Sequence, residues 1–214
     1  MTYLGLFFVG AVLFVDGLML LGRVDARAAA PINIFVGLLL IGVALNIVLP
    51  LDDLTVRANL DAALLASGFM MFAFTYLYVG ICNYTGHPTE GLGWFCLWAC
   101  AAAVFMAITY YTHFEEPKFG MIWTLWAVFF LFLFLVLGLG LADRFVQTAG
   151  VIAVVESFVT ASIPGALLML DKWGEVSNTA GTVIGLVALA LFSLFALRGL
   201  FSGSESGEPA ATVA

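Results

Sequence analysis

Charged side chains are scarce in this chain: Lys, Arg, Asp and Glu together make up 10% of its 214 residues. Lysine is nearly missing, with only Lys118 and Lys172, both in polar stretches between apolar runs. A retinal protein needs a lysine inside its bundle for the Schiff base, so these spans do not make a rhodopsin. The net charge of −7 removes the basic surface that nucleic acid or an anionic lipid face would attract. Histidine is limited to His87 and His113, both in connectors. With no Walker A loop, no HExxH and no Ser-His-Asp set within reach, an enzyme is not expected. Three cysteines, Cys82, Cys96 and Cys100, lie in or near apolar runs. Cys96 and Cys100 share a helix face, but no His or acid completes a metal site, and they read as small buried hydrophobes. Neither a metal nor a cofactor is expected.

What fills the chain is apolar. Hydrophobic residues make up 64%, and mean hydropathy is +1.13, far above a soluble domain. A spanning helix needs about 20 mostly apolar residues. Seven stretches qualify: 3–22, 31–50, 63–84, 91–112, 119–142, 148–170 and 179–201. The fold class is therefore an all-α polytopic membrane protein. Short connectors make antiparallel neighbours, which gives a six-helix bundle of three hairpins over 1–178 and a seventh, C-terminal transmembrane helix over 179–201. That last run holds mostly Ala, Leu, Val and Gly and reads as a packing or lipid-facing helix. Residues 202–214 (SGSESGEPAATVA) read as a disordered tail. If the helices alternate, Arg23, Arg27, Arg144 and Arg198 fall on one side, against Arg57, Lys118 and Lys172. This bias slightly favours an outside N-terminus and a cytoplasmic C-terminus.

Two acids sit deep in apolar runs, Asp16 in the first and Glu156 in the sixth. A charge at the bilayer centre costs about 3 kcal/mol or more, so such residues face a bundle interior or a wet cavity. Glu156, Thr160 and Pro164 recur every four residues and share a face. Pro164 also frees a carbonyl one turn back. The stripe offers acceptors suited to a solute rich in N–H donors; the alternative is that Glu156 fixes packing by bonding a neighbouring helix. Phe72 and Tyr76, and Trp123, Trp126 and Phe130, form aromatic stripes that read either as packing and an interfacial belt or as the walls of a slot for a planar amide. Leu6 and Leu13 share a face of the first helix, where Gly10 and Gly17 permit close backbone approach. Asp16 with Asn33 is a second polar site, read first as a structural pair.

Three strings resemble the AmiS/UreI family. They are Phe8-Val-Gly10-Ala-Val-Leu-Phe-Val-Asp16-Gly17 with Val24-Asp25 and Asn33-Ile-Phe-Val-Gly37; Phe74-Thr-Tyr-Leu-Tyr78 with Asn83; and Val155-Glu156 through Thr160-Ala-Ser-Ile-Pro164 to Trp173. The resemblance runs from about residue 4 to residue 173. It implies a channel for urea or a transporter of short-chain amides in a bacterial inner membrane, with one pore in each protomer of a lipid-plugged homohexamer, serving a cytoplasmic urease or amidase. It also implies a pore lined by Leu6, Leu13, Phe72, Tyr76, Trp123, Trp126, Phe130 and Glu156. Phe130 stands where the family has a pore tryptophan, and Asp16 where it has an asparagine. Acid gating in the family uses histidines of the outer loops; His113 is alone there, so a pore open at neutral pH is expected. Proton-coupled carriage, and a non-transporting sensor or scaffold, are the alternatives.

Overall fold

The computed structural model describes residues 2–49 and 56–201, except the side chains of 56–57, 142–144 and 198–201. The expected tail over 202–214 lies outside the described residues. Helices α1 (Thr2–Leu20), α2 (Ala26–Val48), α3 (Val56–Thr85), α4 (Glu90–Thr112) and α5 (Pro117–Leu133) follow in order. α5 runs on as a π-helical turn, Phe134–Gly138. The sixth span is composite: α6 (Ala142–Glu156), a π-helical turn (Ser157–Ser162) and α7 (Ile163–Met169). A 3-10 turn at Trp173–Glu175 leads to α8 (Asn178–Phe201). Seven helical stretches are long and apolar enough to cross a membrane, and no strand occurs among the described residues. These spans coincide with the seven apolar runs to within a few residues, apart from a longer start to α2 and α3.

Local chemistry sets the helix ends. The Asp25 carboxylate accepts the backbone N–H of Arg27 at 2.9 Å and caps α2. Pro117 occupies the first turn of α5, where its missing N–H costs nothing. Gly22 (φ +70°) and Gly86 (φ +75°) adopt the left-handed backbone that closes the turns after α1 and α3.

The short links join antiparallel neighbours, as expected for three hairpins. The densest packing runs across those hairpins, between α2 and α3, between α4 and α5, and between α1 and the sixth span. Contacts between every consecutive pair and from the sixth span back to α1 close a ring in chain order, with α8 outside against α5 and α6. Side chains rather than a helix therefore fill the ring's centre. In lipid, such a ring depends on close van der Waals approach rather than on hydrophobic burial. The α1 seam shows it: a Cβ on Gly10 would meet Ser157 O at 2.7 Å and Ser162 N at 2.8 Å, and one on Gly17 would meet Val154 N at 2.9 Å.

Lys118 differs from its reading as a connector residue. It lies in the first turn of α5 and is buried. Its ammonium donates to Trp173 O and Val176 O, both at 3.1 Å, and stands 4.7 Å from the Trp173 ring centre. Gly181 of α8 covers its aliphatic stem. The segment before α8 is thus tied down at the start of α5. Outward-facing Val183, Leu186, Val187 and Leu194 of α8 are exposed, while Phe192 points inward at 1% exposure.

Candidate functional site: an aromatic slot between two cavities

Two cavities enter the ring from opposite ends. The wide one, about 330 Å³, is lined by Leu6 of α1, Phe72 of α3, Tyr110 of α4, and Phe119, Trp123 and Trp126 of α5. The narrow one, about 70 Å³, is lined by Leu13 and Asp16 of α1, Thr75, Tyr76 and Asn83 of α3, and Cys96 of α4. Phe72 faces the wide cavity and Tyr76, one helical turn away, faces the narrow one. Four residues of helix rise about 6 Å, so the partition between the cavities is about one turn thick. On α1, Leu6 and Leu13 divide between the cavities in the same way.

Phe72 is the hub of the partition. Its ring lies 4.6 Å from Trp126 in an edge contact, 5.5 Å from Phe130, 6.0 Å from Trp123 and 6.0 Å from Tyr76, with which it stacks. Edge and offset contacts at these separations are the favoured aromatic geometries. Trp123 and Trp126 meet at 4.8 Å, nearly perpendicular. The side chains singled out from sequence, Leu6, Leu13, Phe72, Tyr76, Trp123, Trp126 and Phe130, all lie in one buried cluster. The belt alternative for Trp123 does not hold, since its ring is 5% exposed.

Glu156 ends α6 where the backbone widens into the π-helical turn. π-helical turns within helices often accompany functional positions. The residue is fully buried, yet neither carboxyl oxygen makes a hydrogen bond, and the same is true of the Tyr76 hydroxyl and Asn33 Oδ1. The Tyr76 hydroxyl shares the narrow cavity with Asp16. Most buried polar atoms have partners, so a group of unpartnered oxygens requires an explanation.

Thr160 behaves differently from the solute acceptor read from its spacing. Its hydroxyl donates to Glu156 O at 2.7 Å and accepts the Trp126 indole N–H at 3.0 Å. It holds the indole in place and leaves Trp126 no free donor. Replacing Thr160 by valine would strand that buried N–H, which costs about 1–3 kcal/mol. We expect Thr160→Val to lower the thermal midpoint of the purified protein and Thr160→Ser to restore it.

The second polar site is formed as a pair: Asn33 Nδ2 donates to Asp16 Oδ1 at 2.6 Å and to Ala29 O at 3.1 Å. Asp16 still faces the narrow cavity. Asn46 of α2 is exposed and belongs to neither site. Sequence reasoning missed Tyr110 and Phe119. Both lie near helix ends, where aromatics resemble belt residues, and only the fold shows Tyr110 over Trp123 at 6.4 Å. The π-helical turn was also missed, although its run of hydroxyls ahead of Pro164 was a signal: Ser157 and Thr160 both bond backbone carbonyls of their own span.

The model of the AmiS/UreI family of transporters matches residues 1–172 and stops short of α8. A protein of Mycolicibacterium smegmatis named for the transport of amidate substrates is 44% identical over 191 residues, covering 87% of this chain and 86% of that one. The AmiS2 transporter protein of Rhodococcus erythropolis is 40% identical over 195 residues, covering 89% of this chain and 91% of that one. The closed-state structure of the Helicobacter pylori urea channel superposes with a TM-score of 0.71 at 28% identity, covering 81% of this chain and all of that one.

Proposed function

The chain belongs to the AmiS/UreI family of transporters, and on that premise we propose that it is a passive channel for urea and small aliphatic amides. The observation carrying this reading is the one-turn aromatic partition between two cavities, with the unpartnered Glu156 carboxyl one helical turn from the Thr160 that bonds Trp126 of that partition. Stripping water from an amide without replacing its hydrogen bonds costs about 2–7 kcal/mol. Glu156 and the Tyr76 hydroxyl are placed to return part of that, while Phe72, Trp126, Phe130, Leu6 and Leu13 set the width and stack on the solute's faces. Conduction needs binding weak enough to release, and a slot held by a few contacts meets that need. A hydrated ion loses far more on entering so narrow an apolar passage, so its crossing is slowed. Relatives named for a urea channel and for amidate transport support this range of solutes.

On this reading the protein performs no catalysis. It lies in a bacterial inner membrane with its N-terminus outside and its C-terminus in the cytoplasm, forms a homohexamer with lipid at its centre, and supplies a cytoplasmic urease or amidase. The pore is open at neutral pH. His113, the one histidine on the side where α4 meets α5, is held by Asp61 at 2.7 Å, and no further histidine is present there to build an acid-sensing cluster. Proton-coupled carriage is favoured by one feature, the two acids buried within the spans, Asp16 and Glu156.

Stopped-flow swelling of vesicles containing the purified full chain tests these readings together. We expect urea and acetamide permeabilities well above empty vesicles, unchanged by a protonophore, and of similar size at pH 7.5 and pH 5.5. Collapse with the protonophore would establish coupling. Flux confined to acid pH would establish gating, and no flux at all would leave a sensor or scaffold.

A further inference from the structure

The hydrogen-bond inventory of the slot is one-sided. The buried unpartnered side-chain atoms of the partition and of the spans packed around it are oxygens: the Tyr76 hydroxyl, both oxygens of Glu156 and Asn33 Oδ1. No buried side-chain nitrogen among the described residues is left without a partner, and the Trp126 indole N–H is taken by Thr160. An amide or urea entering the slot brings N–H donors that these oxygens can accept. Within the partition its carbonyl oxygen finds only the Tyr76 hydroxyl proton; the next donors, the Tyr110 hydroxyl and the Asn83 amide, line the cavities on either side. A planar amidinium or guanidinium ion has the same flat shape and a fork of N–H donors, with no acceptor that must be satisfied.

Charge points the same way. Glu156 makes no ion pair, and the one buried ammonium described, that of Lys118, is engaged by Trp173 O, Val176 O and Glu116 at the start of α5. A buried carboxylate without a partner is costly, and a forked N–H cation can pair with both of its oxygens at once. The rings of Phe72, Trp123 and Trp126 facing the wide cavity offer negative faces to a cation on its way in. Sodium and ammonium lack the flat fork, and tetramethylammonium lacks donors.

We propose that the Glu156 slot binds planar N–H cations, the amidinium and guanidinium class, and that these ions block the pore instead of crossing it. The inference rests on the channel reading of the slot for its effect on flux, but not for binding itself.

The test uses vesicles holding the full chain and follows acetamide flux while acetamidinium chloride, or sodium or tetramethylammonium chloride at equal ionic strength, is added. Trp fluorescence of the purified protein, to which Trp123 and Trp126 contribute beside Trp94, Trp98 and Trp173, reports binding in parallel. We expect acetamidinium to slow acetamide flux at concentrations about tenfold or more below those at which either control ion acts. Glu156→Gln should weaken the block, read against its own uninhibited rate, by about tenfold, and should abolish the fluorescence response; Glu156→Asp, with the carboxylate drawn back, should weaken both only partly. A block no stronger than that of sodium would overturn the proposal, and so would one of equal potency in wild type and Glu156→Gln. A fluorescence response lost in Glu156→Gln, in a protein that conducts no acetamide, would uphold the binding site while refuting the channel.

Discussion

Leucine in place of Gly10 is expected to leave almost no folded protein. Gly10 faces the π-helical turn of the sixth span so closely that even a Cβ would meet Ser157 O at 2.7 Å and Ser162 N at 2.8 Å. Those atoms are backbone and cannot rotate aside, so the α1 seam must open. Overpacking a tight interior costs about 1–3 kcal/mol when side chains can yield, and here they cannot. Stability totals of about 5–15 kcal/mol leave little reserve, and the same seam carries Gly17 against Val154 N and Gly165 against Phe7 N. Gly10→Leu should give little monodisperse protein on size-exclusion chromatography in detergent. By contrast Val187→Leu, at an exposed position of α8, should be silent.

Alanine at Phe72 should open the slot. The ring contacts Trp126, Phe130, Trp123 and Tyr76, and its removal leaves a void where the two cavities nearly meet. Truncating a buried phenylalanine costs about 3–5 kcal/mol, so the variant should fold with a lowered thermal midpoint. Its discrimination between urea and a bulkier solute such as butyramide should fall by about tenfold, because the walls that strip hydration are gone. Phe72→Leu, which keeps most of the bulk, should retain selectivity. Unaltered selectivity in Phe72→Ala would place the narrowest point elsewhere. The stopped-flow assay used for wild type measures both.

The spans and most of the slot are legible in the sequence because each rests on local periodicity. Asp16 and Glu156 stand out because lipid penalises charge, and Phe72 and Tyr76, or Trp123, Trp126 and Phe130, share helix faces by spacing alone. Other features depend on which helices meet. The role of Thr160 could not be read, since its spacing marks it as an acceptor while its actual partner, Trp126, comes from another helix. Lys118 looked like a solvated connector residue until α8 and the carbonyls at Trp173 and Val176 closed around it. The dense packing across hairpins, with α1 returning to the sixth span, likewise follows from glycine placement on two distant segments, which a pass along one helix at a time does not connect.

On the proposed function a flat nitrogenous solute crosses between the aromatic hub and the Glu156 carboxyl. A high-resolution map of the full chain in lipid nanodiscs, equilibrated with a heavy-atom-labelled short amide, addresses it directly. Density stacked on Phe72 is expected, with the amide nitrogen within hydrogen-bond distance of Glu156 and a path continuous into both cavities. Labelled amide confined to the wide cavity, with Glu156 bonded to a neighbouring helix and the partition unmoved, would contradict it.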